Sequence, residues 1–226
     1  MSATEPLVLV IEDDPQMRRF LRTSLPSQGY RVLEAATGEE GLSLAVQYVP
    51  DAVLLDLGLP DLDGVEVLGR LRAWSTVPVI VVSARERERQ KIEALDAGAD
   101  DYLTKPFGFG ELLARLRVAL RHAARRDAAP SSVFVAGPLR VDLEARRVQV
   151  DGADVHLTPI EYKLLALLVR HAGRVVTHNQ LLEGVWGPRS ASQSPQLRVH
   201  LMHLRRKLGG RRFTTEPGVG YRLLED

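Results

Sequence analysis

The sequence predicts an α/β domain built on a doubly wound, five-stranded parallel sheet, followed by a smaller α+β domain of the winged helix-turn-helix type. Three observations lead to this expectation. Apolar runs alternate with amphipathic segments in the first half of the 226 residues, strand-like pieces surround three helical patterns in the second half, and the two halves carry opposite net charge. We therefore expect two compact units.

Five short apolar runs predict the parallel sheet. They are LVLVI (7–11), RVLEA (31–35), DAVLLD (51–56), PVIVVS (78–83) and DYLT (101–104). The stretches between them carry helix signals: Thr37 and Glu40 have the spacing of a capping box, and Gly29 and Gly98 stand where helices should end before a strand. Strands that alternate with helices in this way form a parallel sheet covered on both faces.

The second half has a different order of elements. Four strand-like pieces (VFVA, LRVDL, RRVQV and ADVHL) come first, and FTTE and YRLL flank a Pro-Gly-Val-Gly turn at 217–220. Between them, Thr158 with Glu161 and Thr177 with Gln180 mark two helix starts, and a third helix follows Pro195. Three helices flanked by strands and closed by a hairpin indicate a winged helix-turn-helix.

The segment 123–132 (AARRDAAPSS) has the composition of a linker, which places the domains at 1–122 and 133–226. Residues 1–122 hold 14 basic and 19 acidic residues, a net charge of −5, whereas residues 123–226 hold 16 and 10, a net charge of +6. The overall charge of +1 hides this contrast. A basic second half suits a polyanionic partner, although an ordinary solvated basic surface has the same composition.

Composition excludes several classes of protein. The chain has no cysteine, which rules out disulfides, thiolate metal sites and a cysteine nucleophile. No apolar run reaches the roughly 18 residues of a transmembrane helix, and MSATEP lacks the blocks of a signal peptide. We expect a cytoplasmic protein without membrane insertion.

Polar residues stand at the ends of the predicted strands. Glu12, Asp13 and Asp14 follow the first strand, and the third, fourth and fifth strands are followed or ended by Asp56, Ser83 and Lys105. The carboxyl ends of parallel strands share one edge of the sheet, where ligands gather. A carboxylate cluster there is costly without a cation, and Mg²⁺ prefers such oxygen ligands. For Asp14 the alternative is simply a residue that favours the start of a helix.

These residues lie in motifs that resemble the receiver domain of two-component response regulators: IEDD (11–14), LLDLGLPDLDG (54–64), VVSA (81–84) and DYLTKPF (101–107). Residues 133–226 resemble the winged-helix effector of the OmpR/PhoB family through LTPIEYKLL, LLEGVWG, VHLMHLRRKL and GVGYR. Within that family, LGLPD, RAWSTVPVIVVSAR and KIEALDAGADDYLTKPF are similar to the Kdp potassium-transport regulators. The resemblance implies a flavodoxin-like strand order, 2-1-3-4-5, in the receiver.

The resemblance also implies roles at the strand ends. Asp56 is expected to accept a phosphoryl group from a sensor histidine kinase. Mg²⁺ is expected to be held by Glu12, Asp13, Asp56 and the backbone carbonyl of Gly58. Ser83 and Lys105 are expected to contact the phosphoryl oxygens. The resemblance further implies a cis peptide between Lys105 and Pro106, and it makes Tyr102 the switch aromatic.

A homodimer of the phosphorylated chain is implied as well. The family pairs charges across a face made of the fourth helix, the fifth strand and the fifth helix. The matching residues are Lys91 with Glu111, Asp101 with Arg115, and Asp100 with Arg121 or His122. Relatives commonly have arginine where this chain has His122, so dimerisation through His122 would depend on pH.

The last predicted helix is the candidate reader of double-stranded DNA. Four leucines share the face expected to pack inward, and the other side carries Arg198, Val199, Met202, His203, Arg205 and Arg206. The wing has Pro217 where several relatives have an arginine that enters the minor groove, so that contact is not expected. Arg211, Arg212 and Arg222 remain candidates for phosphate contacts.

The leading interpretation is a phosphorylation-activated transcription regulator that is not an enzyme and that controls potassium-uptake genes. One alternative is a phosphohydrolase with Asp56 as nucleophile, although IEDDPQ lacks the DxDx[TV] spacing of the haloacid dehalogenase class. Another alternative is a receiver that acts as a protein-interaction module, with an output independent of DNA.

Overall fold

The computed structural model describes residues 5–84, 88–127, 132–188, 190 and 194–225. The chain forms two compact units, Met1–Ala128 and Ala129–Asp226. This boundary lies inside the segment predicted as a linker, 123–132. The first five residues of that segment are nevertheless helical, because the helix that begins at Phe109 continues to Asp127. Alanine and arginine are strong helix formers, so the AARR sequence extends the helix instead of ending it.

The first unit contains the predicted five-stranded parallel sheet. Its strands are β1 (Leu7–Ile11), β2 (Arg31–Ala35), β3 (Ala52–Leu55), β4 (Val79–Ser83) and β5 (Asp101–Thr104). The strand order β2-β1-β3-β4-β5 confirms the expectation. The helices are α1 (Pro15–Ser24), α2 (Gly38–Tyr48), α3 (Gly64–Arg72), α4 (Glu88–Asp96) and α5 (Phe109–Asp127).

The sheet is buried because helices cover it. All residues of β1, β3 and β4 are buried. Side chains from α1 and α5, including Leu21, Leu112 and Leu116, pack with Val8 and Val10 of β1 in one hydrophobic cluster. This packing leaves the carboxyl ends of β1, β3, β4 and β5 as the polar edge of the sheet.

Local signals in the first unit act as the sequence predicts, with one difference. Gly29 and Gly98 adopt φ values of +80° and +104° before β2 and β5. Thr37 accepts a hydrogen bond from the Glu40 N–H at 3.2 Å, but the Glu40 carboxylate accepts from the N–H of Ala36, at 2.8 Å, instead of that of Thr37. The reciprocal bond of a capping box is therefore shifted by one residue.

The second unit begins with an antiparallel sheet of β6 (Val133–Ala136), β7 (Leu139–Asp142), β8 (Arg147–Val150) and β9 (Ala153–Asp154). The helices α6 (Pro159–Arg170), α7 (His178–Trp186) and α8 (Ser194–Leu208) follow. A second antiparallel sheet contains β10 (Val175–Thr177), β11 (Phe213–Glu216) and β12 (Gly220–Leu223) in the order β10-β12-β11. This arrangement confirms the predicted winged helix-turn-helix, and β10 is a strand that the sequence did not predict.

Both predicted capping boxes of the second unit are complete. The Thr158 and Thr177 hydroxyls accept from the N–H groups of Glu161 and Gln180, whose side chains accept from the threonine N–H groups in return. These caps fix where α6 and α7 begin. The three helices then bury one hydrophobic core with β7, β8 and the β11–β12 hairpin.

Candidate functional site

The predicted carboxylates meet at the carboxyl edge of the parallel sheet. Glu12 follows β1 and is 2% exposed, and Asp56 follows β3 and is 8% exposed, whereas Asp13 is open to solvent. Carboxylate oxygens of these three residues lie within 4.8 Å of one another. Negative charges at this separation, two of them buried, repel strongly unless a cation lies close by.

Lys105 provides a positive charge at this point. Its Nζ donates to Oε2 of Glu12 at 2.6 Å and to Oδ2 of Asp56 at 2.9 Å. The lysine follows β5, and its backbone N–H donates to the carbonyl of Ser83 at 2.9 Å, which ties it to the end of β4. The Lys105–Pro106 peptide is cis, as the resemblance implied. One ammonium group thus bridges the carboxylates from two different strands.

The two buried carboxyl groups differ in acidity. Burial raises the pKa of Glu12 to about 7, and the hydrogen bond from Lys105 only partly opposes that shift. Burial also acts to raise the pKa of Asp56, but the hydrogen bond and charge of Lys105 outweigh burial and hold that pKa below its usual value. The lowered pKa favours the ionised form of Asp56, and an ionised carboxylate is the form that acts as a nucleophile.

The two oxygens of Asp56 have different surroundings. Oδ1 accepts from the backbone N–H groups of Leu57 at 2.6 Å and Gly58 at 3.2 Å. Oδ2 faces the Lys105 ammonium. Two backbone donors hold the carboxylate in one orientation, so that Oδ2 points toward the charged side of the site.

Two residues that the sequence did not single out hold the Asp56 loop in place. A Cβ on Gly64 would lie 2.5 Å from the backbone carbonyl oxygen of Asp56, so only glycine allows α3 to start this close to β3. Asp61 accepts hydrogen bonds from the N–H groups of Gly38 and Glu39 at 2.8 and 2.9 Å, which joins the loop to the first turn of α2. Both residues lie in the segment LPDLDG (59–64), which is the part of the sequence that could have indicated these contacts.

The remaining residues predicted at this edge lie in the expected elements. Ser83 ends β4 and is buried. Tyr102 lies in β5 and is also buried. The role of Tyr102 as the switch aromatic stays a prediction.

The residues predicted for a dimer face are largely engaged within the chain. Arg115 donates to Asp101 at 2.7 Å and to Glu111, one helical turn away, also at 2.7 Å. Asp100 is 3% exposed, and its Oδ2 accepts from Arg72 at 2.8 Å and from the Val79 N–H at 2.7 Å. The expected contact of Asp100 with Arg121 or His122 of a second copy stays a prediction. Lys91 lies in α4, and Arg121 and His122 lie in α5.

The candidate DNA-reading helix has the predicted two faces. Leu197, Leu201, Leu204 and Leu208 are buried in the core of the second unit. The outer side exposes Arg198, Val199, Met202 and Arg206, and His203 is half-buried. The sequence of α8 contains four arginine and lysine residues and no acidic residue. This side of the helix therefore presents positive charge around an apolar centre.

Arg205, also predicted to contact DNA, makes several contacts within the second unit. It donates to the Thr215 hydroxyl at 2.6 Å and the Phe213 carbonyl at 3.2 Å, and its guanidinium lies 5.3 Å from the ring centre of Tyr221. These contacts join α8 to the β11–β12 hairpin. Arg222 is engaged too, donating to the Gly173 carbonyl at 2.9 Å. Both arginines hold the wing in position in this structure.

Comparison with known proteins agrees with this geometry. Residues 8–117 match the model of the response regulator receiver domain, and residues 152–223 match that of the transcriptional regulatory protein, C terminal. The KDP operon transcriptional regulatory protein KdpE of Escherichia coli is 53% identical over 96% of this chain and 98% of its own length. The chain belongs to the OmpR/PhoB family of two-component response regulators.

Other response regulators resemble it along their whole length. KdpE of Mycobacterium tuberculosis is 49% identical over 96% of this chain and 98% of its own. Among solved structures, the OmpR/PhoB homologue DrrB of Thermotoga maritima is 28% identical, covers 96% of this chain and 98% of its own, and has a TM-score of 0.50. Response regulators of this family bind DNA through the second unit, and their receivers bind Mg²⁺ at an acidic pocket.

The acidic pocket of this response regulator has the composition that Mg²⁺ requires. All three carboxylates offer oxygen ligands, which a hard divalent cation prefers, and the exposed Asp13 leaves one side open for coordinated water. Lys105 offsets part of the negative charge of Glu12 and Asp56, so the pocket already accommodates one positive charge. Among the helices described, none is both long and apolar enough to cross a lipid bilayer.

Proposed function

We propose that this response regulator takes a phosphoryl group on Asp56 from a sensor histidine kinase, and that the phosphoryl group controls DNA binding by the second unit. The observation that supports this most directly is the buried Asp56 carboxylate, which lies beside Lys105 and two further carboxylates. Glu12, Asp13, Asp56 and the Gly58 carbonyl are the proposed Mg²⁺ ligands. When bound, Mg²⁺ would offset the negative charge of the phosphoryl group.

The chemistry follows from the two oxygens of Asp56. Oδ1 is held by two backbone N–H groups, which leaves Oδ2 as the proposed nucleophile. Oδ2 forms the new bond to phosphorus, the bond from phosphorus to the kinase histidine nitrogen breaks, and the imidazole keeps that electron pair. Lys105 then exchanges its contact with Oδ2 for one with a phosphoryl oxygen, and the Ser83 hydroxyl donates to another.

The receiver face of α4, β5 and α5 is the proposed surface of a phosphorylated homodimer. Lys91, Asp101, Glu111 and Arg115 are the charged residues that support it. Because Arg115 is bonded to Asp101 and Glu111 within one chain, a dimer would share or exchange existing pairs. Ion pairs made by exposed residues such as Glu111 contribute little each, so we expect them to fix orientation more than affinity.

The regulated genes are proposed to serve potassium uptake. The support is identity of 49–53% over nearly the whole chain to proteins named KdpE. We expect the protein to act in the cytoplasm, where DNA and the phosphorylated domain of the kinase are both present. Genome-wide footprinting tests the assignment: occupancy upstream of potassium-transport genes is the expected result, and occupancy confined to other genes would contradict it.

Intact-mass measurement tests the phosphoacceptor. After incubation with Mg²⁺ and acetyl phosphate, we expect one phosphoryl group per chain, none in Asp56→Asn, and none when EDTA removes the metal. A phosphohydrolase would instead turn over phosphoester substrates many times without a stable phosphorylated form. We propose that the protein is not an enzyme of that kind, and sustained turnover would contradict this.

A further inference from the structure

Met202 is the more exposed of two large apolar side chains that α8 leaves open to solvent, the other being Val199 at 47%. The Met202 side chain is 58% exposed, although the side of the helix that faces the core is filled by leucines. When a partner covers a large apolar side chain that was exposed to water, the free energy falls. Met202 therefore marks a point on α8 where a ligand contact would be favourable.

The charges around Met202 indicate what kind of ligand this is. Arg198 and Arg206 lie four residues before and after it, on the same side of the helix and about 6 Å away along the helix axis. Both are exposed. The sequence of α8 contains no acidic residue. The major groove of DNA suits an apolar side chain between two arginines, because phosphates line its edges and thymine methyl groups lie on its floor.

We propose that Met202 is a specificity-determining residue that contacts the C5-methyl group of a thymine. Within the major groove, the thymine methyl is the only apolar group on a base edge, whereas the other bases present hydrogen-bond donors and acceptors there. A thioether side chain makes no strong hydrogen bond, so the favourable contact that it offers a base edge is an apolar one with that methyl group. The proposal rests on the DNA-binding function proposed above and adds which chemical group is read.

Exchange of thymine for deoxyuridine isolates this contact. Deoxyuridine pairs with adenine as thymine does and lacks only the methyl group. The full chain, treated with Mg²⁺ and acetyl phosphate, selects its binding sites from a pool of random duplexes. Each thymine of the enriched site is then replaced singly, and the dissociation constant is measured for the wild type and for Met202→Ala.

For at least one thymine, we expect the replacement to weaken wild-type binding by about fourfold, the equivalent of one buried methyl group. Met202→Ala should bind the thymine site more weakly than the wild type and should bind the thymine and deoxyuridine forms of that position equally. Met202→Leu should keep the preference for thymine, and Met202→Gln, which is of similar length but polar, should lose it. Alanine is a strong helix former, so unfolding of α8 is not expected.

Val135 supplies a matched control, because it is also a large exposed apolar residue of the second unit but lies in β6. Val135→Ala should keep both wild-type affinity and the preference for thymine. The inference alone would be overturned if replacing thymine by deoxyuridine weakened binding equally in the wild type and in Met202→Ala. It would also be overturned if the replacement did not affect the wild type at any position. A pool in which no sequence is enriched would contradict the proposed DNA-binding function, and the inference with it.

Discussion

Arg72, at the end of α3, donates a 2.8 Å hydrogen bond to the buried carboxylate of Asp100, which precedes β5. The same guanidinium donates to the carbonyls of Val77 at 2.7 Å and Gly98 at 2.9 Å. One side chain thus connects α3 to the loops before β4 and β5. This places Asp100 among the residues that stabilise the receiver.

Replacement of Asp100 by asparagine should therefore reduce stability. Removing one partner of a buried ion pair leaves Arg72 without its counter-charge, which we expect to cost about 3 kcal/mol in the free energy of unfolding. Urea unfolding measures this. Glu93→Gln, on the exposed side of α4, should change the stability by less than about 0.5 kcal/mol. A variant Asp100→Asn of full stability whose phosphorylated dimer dissociates more readily would show that Asp100 faces a partner.

Gly64 should be the least replaceable glycine of α3. A Cβ at this position would lie 2.5 Å from the Asp56 carbonyl oxygen and 2.6 Å from Cα of Leu57, both backbone atoms. Gly64→Ala should lower stability by about 2 kcal/mol and slow phosphorylation by acetyl phosphate, because the Asp56 loop must shift. Unfolding curves and the rate of mass increase measure the two effects.

The matched control lies in the same helix. Nothing lies within 4 Å of a Cβ added at Gly69, so Gly69→Ala should raise stability by about 0.5–1 kcal/mol and leave phosphorylation unchanged. Equal effects of the two alanine variants would contradict the role assigned to Gly64.

Glu161 should make the stability of the second unit depend on acidity. It is 2% exposed, caps α6 through the Thr158 N–H, and accepts from Lys207 of α8 at 2.7 Å. Burial acts to raise the pKa of Glu161, but the hydrogen bonds from Lys207 and the Thr158 N–H outweigh burial and lower it from its ordinary value of 4.5. A lowered carboxyl pKa stabilises the folded state above the unfolded value, and this contribution is lost as pH falls toward the folded value.

Unfolding of wild type and Glu161→Gln across pH tests this. The wild type should be more stable by about 1–3 kcal/mol at neutral pH, and the difference should stay constant down to about pH 5 and narrow below it. Glu183→Gln, an exposed residue of α7, should show no such difference. If the difference in stability between wild type and Glu161→Gln instead grew as pH fell, the pKa of Glu161 would be raised and not lowered.

Substitutions of the neighbouring residues Arg205 and Arg206 should have different effects, one on stability and the other on DNA affinity. Arg205 is bonded to Thr215 and Phe213, whereas Arg206 is exposed. Arg205→Met should lower the free energy of unfolding by about 1–2 kcal/mol, because two hydrogen bonds and the contact with Tyr221 are lost. Arg206→Met should leave stability unchanged and weaken DNA binding. Unfolding and DNA titration of both variants provide the comparison, and the reverse pattern would contradict the placement of Arg205.

Two kinds of feature could be predicted from the sequence: helix caps, which depend on nearby residues, and the meeting of residues that follow parallel strands. The caps at Thr158 and Thr177 depend on residues three positions apart, so the sequence alone shows them. Glu12, Asp56 and Lys105 are far apart in the chain, but parallel strands bring their carboxyl ends to one edge, so the meeting of these residues could be predicted too.

Contacts without a periodic or capping pattern could not be predicted. Arg72 reaches Asp100 across 28 positions, and nothing in either segment specifies that pair. β10 has only three residues, too few for an alternating pattern, and its partner β12 lies far along the chain, in the wing. Arg205 looks like a DNA contact by its place on the helix face, and only the tertiary structure brings Thr215 close enough to bind it.

The central claim is that phosphorylation of Asp56 controls DNA binding, and one titration tests it most directly. The dissociation constant for an enriched DNA site is measured for the wild type and Asp56→Asn, each with and without acetyl phosphate in the presence of Mg²⁺. The wild type should bind about tenfold more tightly after treatment, and Asp56→Asn should not respond. An affinity that is unchanged by phosphorylation, or that rises equally in Asp56→Asn, would contradict this account.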